Sequence, residues 1–359
     1  MARKIIHLIP YDGIGGVETA AATAEGAMRG DLRLERMFIV AGTDDREARR
    51  ALRSPLALWQ AAGRLARANA DLVILSLWRS ILVWMLARLR GHAAPSVLFL
   101  HNCRDAHLLD RWLTRFASSR VEAIWADSQA TLEQRLVLPQ TARTRVISYL
   151  TRRISPTRGQ TPDPAPDFVF WGRLSAQKDP VRLVRLFALV HEARTDARLT
   201  MIGPDGGLRA DVESEIAARG LEGAVTLIGP ADHDAIARHA GSASFYLQTS
   251  RYEGMALSVM EAMQLGLVPV VTPVGEIARY TQDGKSAIWV AQSEEGDEAA
   301  AAAILDLLGK PDKWRKMQAA ALSSWAGRTL YADDVLLAAE ETLNAQLSHQ
   351  AGREGTQLI

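Results

Sequence analysis

Ser244-Phe245-Tyr246-Leu247-Gln248-Thr249-Ser250-Arg251-Tyr252-Glu253-Gly254-Met255-Ala256-Leu257-Ser258-Val259-Met260-Glu261-Ala262-Met263-Gln264-Leu265-Gly266-Leu267-Val268-Pro269-Val270-Val271 is one strand, turn, helix and strand in succession. A short apolar run, Ser244 to Leu247, gives way to a polar turn, and a helix begins near Ala256. A second apolar run, Val268 to Val271, closes the unit. This alternation is the signal of βαβ units and a parallel sheet.

The same rhythm runs outward in both directions. Before this stretch stand strands Phe168 to Trp171, Leu199 to Ile202 and Val225 to Ile228, and after it Ala287 to Val290. The first half repeats the pattern with Ile5 to Ile9, Arg36 to Val40, Leu72 to Leu77, Val97 to Leu100 and Ala123 to Ala126. Between the two series, Thr151 to Asp167 carry four prolines and no apolar period, which marks a linker. The expected division is a first α/β domain over 1–155, a linker over 156–167 and a second α/β domain over 168–325. After Pro311, helices are expected over Lys313 to Trp325 and Tyr331 to Leu347, the latter (331–347) packing back on the first domain, with a frayed end.

With 359 residues, 48% hydrophobic and 23% charged, the chain has apolar material for two cores and is not a disordered tail. Its 42 basic and 41 acidic side chains sum to +1, but residues 1–165 hold +9 and residues 166–359 hold −8. Halves with different partners follow. Cys103 is the one cysteine, so an internal disulfide and a thiolate cluster are both excluded and a cytoplasmic address is expected. The opening run is cut by Pro10 and Asp12, unlike a signal peptide. Leu72 to Leu89 is interrupted by Arg79 and Arg88, which suits a buried strand and a helix, Ser80 to Arg90, better than a membrane span.

Open α/β sheets bind ligands at the C-terminal ends of their strands. Three loops there carry chemistry. Gly13 to Gly16 follow the first strand, where glycines permit close backbone approach and a helix N-terminus favours an anion; close strand-helix packing explains them equally. After Trp171, Gly172-Arg173-Leu174-Ser175 and Lys178 precede a helix with Asp179 as N-cap and Pro180 at N1. That Arg and Lys could both reach a diphosphate, or form a solvated basic loop. In the opening stretch, Glu253 stands at the mouth of a helix and Glu261 about one turn inside it. Carboxylates accept from vicinal hydroxyls and the first helical amides take phosphates, an arrangement suited to a sugar nucleotide.

At these residues the chain resembles the retaining glycosyltransferases of family 4 (glycosyl transferases group 1), with the GT-B architecture of two Rossmann-like domains facing across a cleft. The resemblance rests on Gly15-Gly16-Val17-Glu18, His101-Asn102, Ser128, Gly172-Arg173-Leu174 with Lys178, Gly203, Glu253 through Glu261, the continuation to Val271, and Gly275-Glu276-Ile277. It implies that Arg173 and Lys178 neutralise the diphosphate leaving group, that Glu261 holds the ribose hydroxyls and that Glu253 holds the transferred sugar. It further implies that amides of Gly254, Met255, Ala256, Leu257 and Ser258 touch sugar and phosphates, that Gly15 and Gly16 close over them, and that His101 contacts the sugar near the reacting carbon, as a base or as a positioning group. Closure would be a hinge motion about 151–167 and 326–330.

No Asp-x-Asp cluster stands at a strand end with suitable neighbours, so neither metal nor cofactor is expected: the nucleotide-sugar is a co-substrate, a UDP-sugar or GDP-mannose. The acceptor would be a glycan or lipid-linked, in cell-surface polysaccharide assembly. The chain departs from the family where Ala256 replaces a common glycine, Asp179 follows the lysine, and Gly203-Pro204-Asp205-Gly206 replaces a glycine pair.

The basic first half is nearly all arginine, and Trp78, Trp84 and Trp112 lie near Arg79, Arg88, Arg90, Arg111 and Arg115. This mix suits peripheral contact with anionic headgroups on the inner membrane face, or a solvated basic face over buried tryptophans. Basic residues scattered over several helices do not suit nucleic acid. Two further readings are a noncatalytic partner subunit of the same fold and a sugar-nucleotide epimerase.

Overall fold

The computed structural model describes residues 2–13, 15–42, 45–136, 142–156 and 163–356. They form two compact units, Met1–Arg152 with Thr329–Ile359, and Arg153–Arg328. Much of the expected linker, residues 157–162, lies outside the described residues.

The first unit runs β1 (Arg3–Ile9), α1 (Gly16–Thr23), β2 (Met28–Arg29), β3 (Leu32–Phe38), α2 (Asp45–Ala51), α3 (Pro55–Ala66), β4 (Leu72–Ser76), α4 (Trp78–Arg88), β5 (Ser96–Leu100), α5 (Leu108–Ser118), β6 (Ala123–Ala126), α6 (Gln129–Arg135) and β7 (Arg143–Val146). Among the described residues the sheet order is β2-β3-β1-β4-β5-β6-β7, parallel except for the β2–β3 hairpin. β4 and β5 are buried along their whole lengths, as parallel strands covered on both faces must be. Leu72 to Leu89 is thus a core strand and helix.

The second unit runs β8 (Asp167–Trp171), α7 (Pro180–Ala193), β9 (Arg198–Ile202), α8 (Arg209–Ala218), β10 (Val225–Ile228), α9 (His233–Ser242), β11 (Phe245–Gln248), α10 (Leu257–Gln264), β12 (Val268–Val271), α11 (Ile277–Tyr280), β13 (Ile288–Trp289), α12 (Asp297–Leu308) and α13 (Pro311–Ser323). Its parallel sheet has the order β10-β9-β8-β11-β12-β13 among the described residues. Phe168, Phe187 and Phe245 form its aromatic centre, with Phe168 stacked 5.1 Å from Phe245.

The last helix, α14 (Tyr331–Thr356), belongs to the first unit. It is tied there by Asp334, whose carboxylate accepts from the Ser148 amide at 2.6 Å and from Arg145 at 2.6 Å. The helix continues well past Leu347, so the frayed end read from the sequence is corrected: the pattern of apolar residues ends before the backbone hydrogen bonding does. It also brings five acidic residues onto the first unit, which carries 23 basic and 19 acidic side chains, or +4, leaving −3 on the second. The charge split of the two sequence halves is therefore softened by the return of one helix.

Strands were placed in the sequence more accurately than their ends. β3 starts at Leu32, four residues before the expected run, because it is an alternating strand rather than a solid apolar one. β7, with exposed or half-exposed arginines and threonine, is an edge strand without the apolar signature and was not foreseen.

Candidate active site

In each sheet the strand order reverses at one point, between β1 and β4 in the first unit and between β8 and β11 in the second. Loops at such a switch point diverge and leave a crevice. Four of the five non-glycine residues with positive φ among the described residues follow strand ends near these points: Leu77 (67°), Asn102 (95°), Asp179 (49°) and Ala256 (56°). Left-handed backbone costs an L-residue about 1–2 kcal/mol, and such strain gathers where function needs a fixed loop.

In the second unit, β8 delivers Trp171, Gly172 and Arg173. Gly203 carries φ 145°, and a Cβ there would stand 2.0 Å from the Gly172 carbonyl oxygen, so only glycine lets the two strand ends meet. The loop is stitched further by the Leu174 amide to the Pro204 carbonyl at 3.0 Å and the Gly206 amide to the Leu174 carbonyl at 2.9 Å. The replaced glycine pair thus still serves a close backbone approach. Lys178 folds over Gly172 and sets its Nζ 2.7 Å from Glu253 Oε1.

Glu253 is buried, and a buried carboxylate needs compensation. Besides Lys178 it accepts from Gln248 Nε2 at 3.3 Å and from Gln177 Nε2 at 3.4 Å. Gln248 is itself fixed, its Oε1 accepting from Tyr246 Oη at 2.7 Å and Ser258 Oγ at 2.9 Å. Burial, then the Glu253 charge, pushes the Tyr246 phenol up, so it stays a donor. Behind the turn, Gly275 at φ 59° would place a Cβ 2.2 Å from the Glu253 carbonyl oxygen, and the Glu276 amide donates to the Gly254 carbonyl at 3.0 Å. The turn carrying Glu253 and Gly254 is therefore clamped from both sides.

Ala256 occupies the N-cap of α10 in the left-handed region, with no side chain capping the helix. Glycine fits that conformation freely, so the alanine here costs strain while the turn is kept. The Leu257 and Ser258 amides open the first turn at the helix's positive end. Glu261, one turn on, is buried and accepts from Trp171 Nε1 at 3.0 Å, with His233 Nδ1 3.9 Å from its other oxygen. The fold thus brings together Lys178, Glu253, Glu261, Trp171 and the α10 N-terminus around one switch point.

Asp179 holds the N-cap position of α7 with Pro180 at N1, but its carboxylate does not cap the helix: it accepts from Arg251 Nε at 2.8 Å. Left-handed backbone at Asp179 aims the side chain away, which corrects the N-cap expectation and ties the Lys178 loop to the Glu253 turn. Sequence reading missed Gln248, Gln177 and Trp171. Gln248 and Trp171 end β11 and β8, so their place at strand C-terminal ends was the available signal.

In the first unit, Gly15 is the extended N-cap of α1, and a Cβ there would stand 2.4 Å from a Glu18 carboxylate oxygen. His101 follows β5 and is buried with both ring nitrogens in contact inside the unit: Nε2 is 2.8 Å from Ser76 Oγ and Nδ1 is 3.2 Å from Tyr149 Oη. Its ring lies 4.3 Å from that of Phe99. Burial holds its pKa well below the ordinary histidine value, helped by the His7 and Arg135 charges. Of the three tryptophans in the basic region, Trp84 is buried in the core and Trp78 is half-buried beneath Arg79, whereas Trp112 is 55% exposed. That removes Trp84 from any surface role.

Among the described residues no group of three or more His, Cys, Asp and Glu side chains has a metal-holding arrangement, and no helix is long and apolar enough to cross a membrane.

Residues 152–323 match the family model described as glycosyl transferases group 1. The GDP-mannose:cellobiosyl-diphosphopolyprenol alpha-mannosyltransferase of Komagataeibacter xylinus is 31% identical over 122 residues, 33% of this chain and 31% of that protein. D-inositol 3-phosphate glycosyltransferase of Arthrobacter sp. (strain FB24) is 32% identical over 148 residues, 40% of this chain and 35% of that protein. The chain thus spans about a third of the length of these relatives. The crystal structure of Anabaena HepE in complex with UDP-glucose superposes with a TM-score of 0.73 at 17% identity, covering 95% of this chain and 99% of the other. The fold is of the GT-B type, an α/β architecture with two Rossmann-like units.

Proposed function

We propose that the protein, whose residues 152–323 match the family model of the glycosyl transferases group 1, transfers a sugar from a nucleotide-sugar donor, a UDP-sugar or GDP-mannose, to a glycan or lipid-linked acceptor with retention of configuration. The observation that carries this reading is the ion pair of half-buried Lys178 with buried Glu253 beside the N-terminus of α10, which no N-cap side chain caps, with Glu261 one turn away. Glu261, oriented by the Trp171 indole, takes the ribose hydroxyls, and Glu253 takes the hydroxyls of the sugar. Arg173, Lys178 and the amides of Gly254 to Ser258 meet the diphosphate. As the bond from the anomeric carbon to the phosphate oxygen breaks, the acceptor oxygen bonds to that carbon on the same face. The acceptor proton passes to the departing phosphate. Fixed cations and amides favour the charge growing on that oxygen, with no metal required. The resemblance assigns substrate contacts in the first unit to His101, Gly15 and Gly16. The setting is cell-surface polysaccharide assembly at the cytoplasmic face of a membrane.

The test is thermal unfolding with UDP-, GDP- and ADP-sugars in the absence of added metal. A donor at 100 times its Kd stabilises by about 3 kcal/mol, roughly 5–10 °C for a unit of this size. One donor class is expected to give this shift, Glu261→Ala and Arg173→Ala to abolish it, and EDTA to leave sugar transfer unchanged. Absence of a shift together with absence of transfer from every donor refutes the reading and favours a noncatalytic subunit. Peripheral contact with anionic lipid is part of the same proposal and is supported by α5, where Leu108 is 83% and Trp112 55% exposed beside Arg111 and Arg115. Salt-sensitive flotation with vesicles rich in phosphatidylglycerol, lost in Trp112→Ala, is the expected result.

A further inference from the structure

Behind His101 lies a line of buried polar groups that the proposed chemistry does not use. His7, in the middle of β1, is fully buried, and its Nε2 lies 2.7 Å from Ser76 Oγ at the end of β4. Ser76 Oγ lies 2.8 Å from His101 Nε2, and His101 Nδ1 lies 3.2 Å from Tyr149 Oη. His7 Nδ1 has no hydrogen-bond partner among the described residues. Phe99 covers the group, stacking on His7 and tilted against His101, and the Tyr149 ring meets it edge-on.

The protons in this line are constrained by counting. Ser76 has one hydroxyl proton and touches two imidazole nitrogens, and a neutral imidazole has one N–H and one acceptor nitrogen. If Tyr149 donates to His101 Nδ1, then His101 Nε2–H donates to Ser76 and Ser76 donates to His7 Nε2. One polar group is then left unsatisfied, His7 Nδ1–H. If the line runs the other way, both His7 Nδ1 and the Tyr149 hydroxyl proton are stranded. If both histidines donate to Ser76, the serine proton is stranded together with His7 Nδ1. Each stranded buried group loses its hydrogen bond to water with nothing in return, so the first arrangement, with the fewest such groups, is favoured.

We propose that the chain Tyr149 to His101 to Ser76 to His7 commits His101 to the Nε2–H tautomer, and that His7 and Ser76 are positioning residues for the reaction. The inference rests on the glycosyl-transfer reading in which His101 meets the substrate. It assigns His101 the role of a fixed neutral group rather than a general base, since its one acceptor nitrogen already receives the Tyr149 proton. Burial disfavours charge on both rings and agrees with this.

The test uses the full chain labelled with ¹⁵N-histidine, whose eight rings report their tautomers by long-range proton–nitrogen correlation, His101 and His7 being assigned by substitution. At pH 7.5 His101 is expected as Nε2–H and His7 as Nδ1–H. In His7→Leu the serine proton loses its acceptor and turns to His101, so His101 shifts toward Nδ1–H. The kcat for transfer falls roughly tenfold while donor KM stays within about threefold, the split expected of a group acting on the transition state. His7→Gln restores the acceptor and is expected to recover both signals. Ser76→Ala deletes only a hydroxyl and serves if His7→Leu does not fold: Tyr149 still holds His101 as Nε2–H, but that proton loses its acceptor and kcat is expected to fall. Nδ1–H on His101 in the wild type overturns the proposal, and so does a His7→Leu protein with unchanged tautomer and kcat, or a Ser76→Ala protein with unchanged kcat. If the wild type transfers sugar from no donor, the glycosyl-transfer reading fails on its own account, and the tautomer of His101 still decides the chain.

Discussion

Acidification from pH 7.5 to 5 is expected to destabilise the first unit, and His7 sets a minimum for the effect. Burial pushes its pKa from 6.5 down to about 3 in the folded state. A histidine with a lowered folded pKa binds fewer protons in the native than in the unfolded chain between those values. Its contribution is therefore full above the unfolded value, about pH 6.5, and is lost as pH falls toward 3. Integrated from pH 7.5 to 5, one such group removes about 2 kcal/mol of stability. His101 is shifted in the same direction, by burial, and adds to the loss. Most carboxylates remain ionised at pH 5, so this window isolates the histidines. Urea unfolding followed by pulsed hydrogen exchange on β1 and β4 peptides reads the first unit separately. His7→Leu is expected to lose about 2 kcal/mol less than the wild type over the same pH range. Equal losses in the two proteins would refute the reasoning, because His7 would then titrate freely in the folded state.

Lys178→Met leaves the buried Glu253 charge without its 2.7 Å partner and, in the proposed reaction, removes a cation from the leaving group, so kcat should fall about 10²–10³-fold in a transfer assay. Ala256→Gly relaxes a left-handed residue at φ 56°; the urea midpoint should hold or rise, by up to about 1 kcal/mol, instead of showing the usual loss on adding glycine. Gly275→Ala forces a Cβ to within 2.2 Å of the Glu253 carbonyl oxygen at φ 59°, and should cost about 2–4 kcal/mol in thermal unfolding and abolish the donor-induced shift. Asp297→Ala strips the buried Arg182 of its 2.7 Å carboxylate partner and should cost about 3–5 kcal/mol by urea titration of the second unit.

The buried parallel strands, the two-unit α/β class and the loops that carry Arg173, Lys178, Glu253 and Glu261 were legible in the sequence, unlike the short β2 and the edge strand β7. Their reason is local: parallel strands buried on both faces are short apolar runs, and the residues that follow them lie where such sheets bind ligands. Other features depend on contacts between distant segments, which no local pattern encodes. That Asp179 turns to Arg251, that Gln248 braces Glu253, and that α14 returns to soften the charge split were fixed by packing. His7 is a single histidine in an apolar strand, and only its meeting with Ser76, 69 positions away, gives it a partner. The sequence determined which chemistry the loops could offer. The tertiary structure decided which of those groups face one another, because the burial that gives a polar pair its energy is a property of the packed sheet and not of its strands.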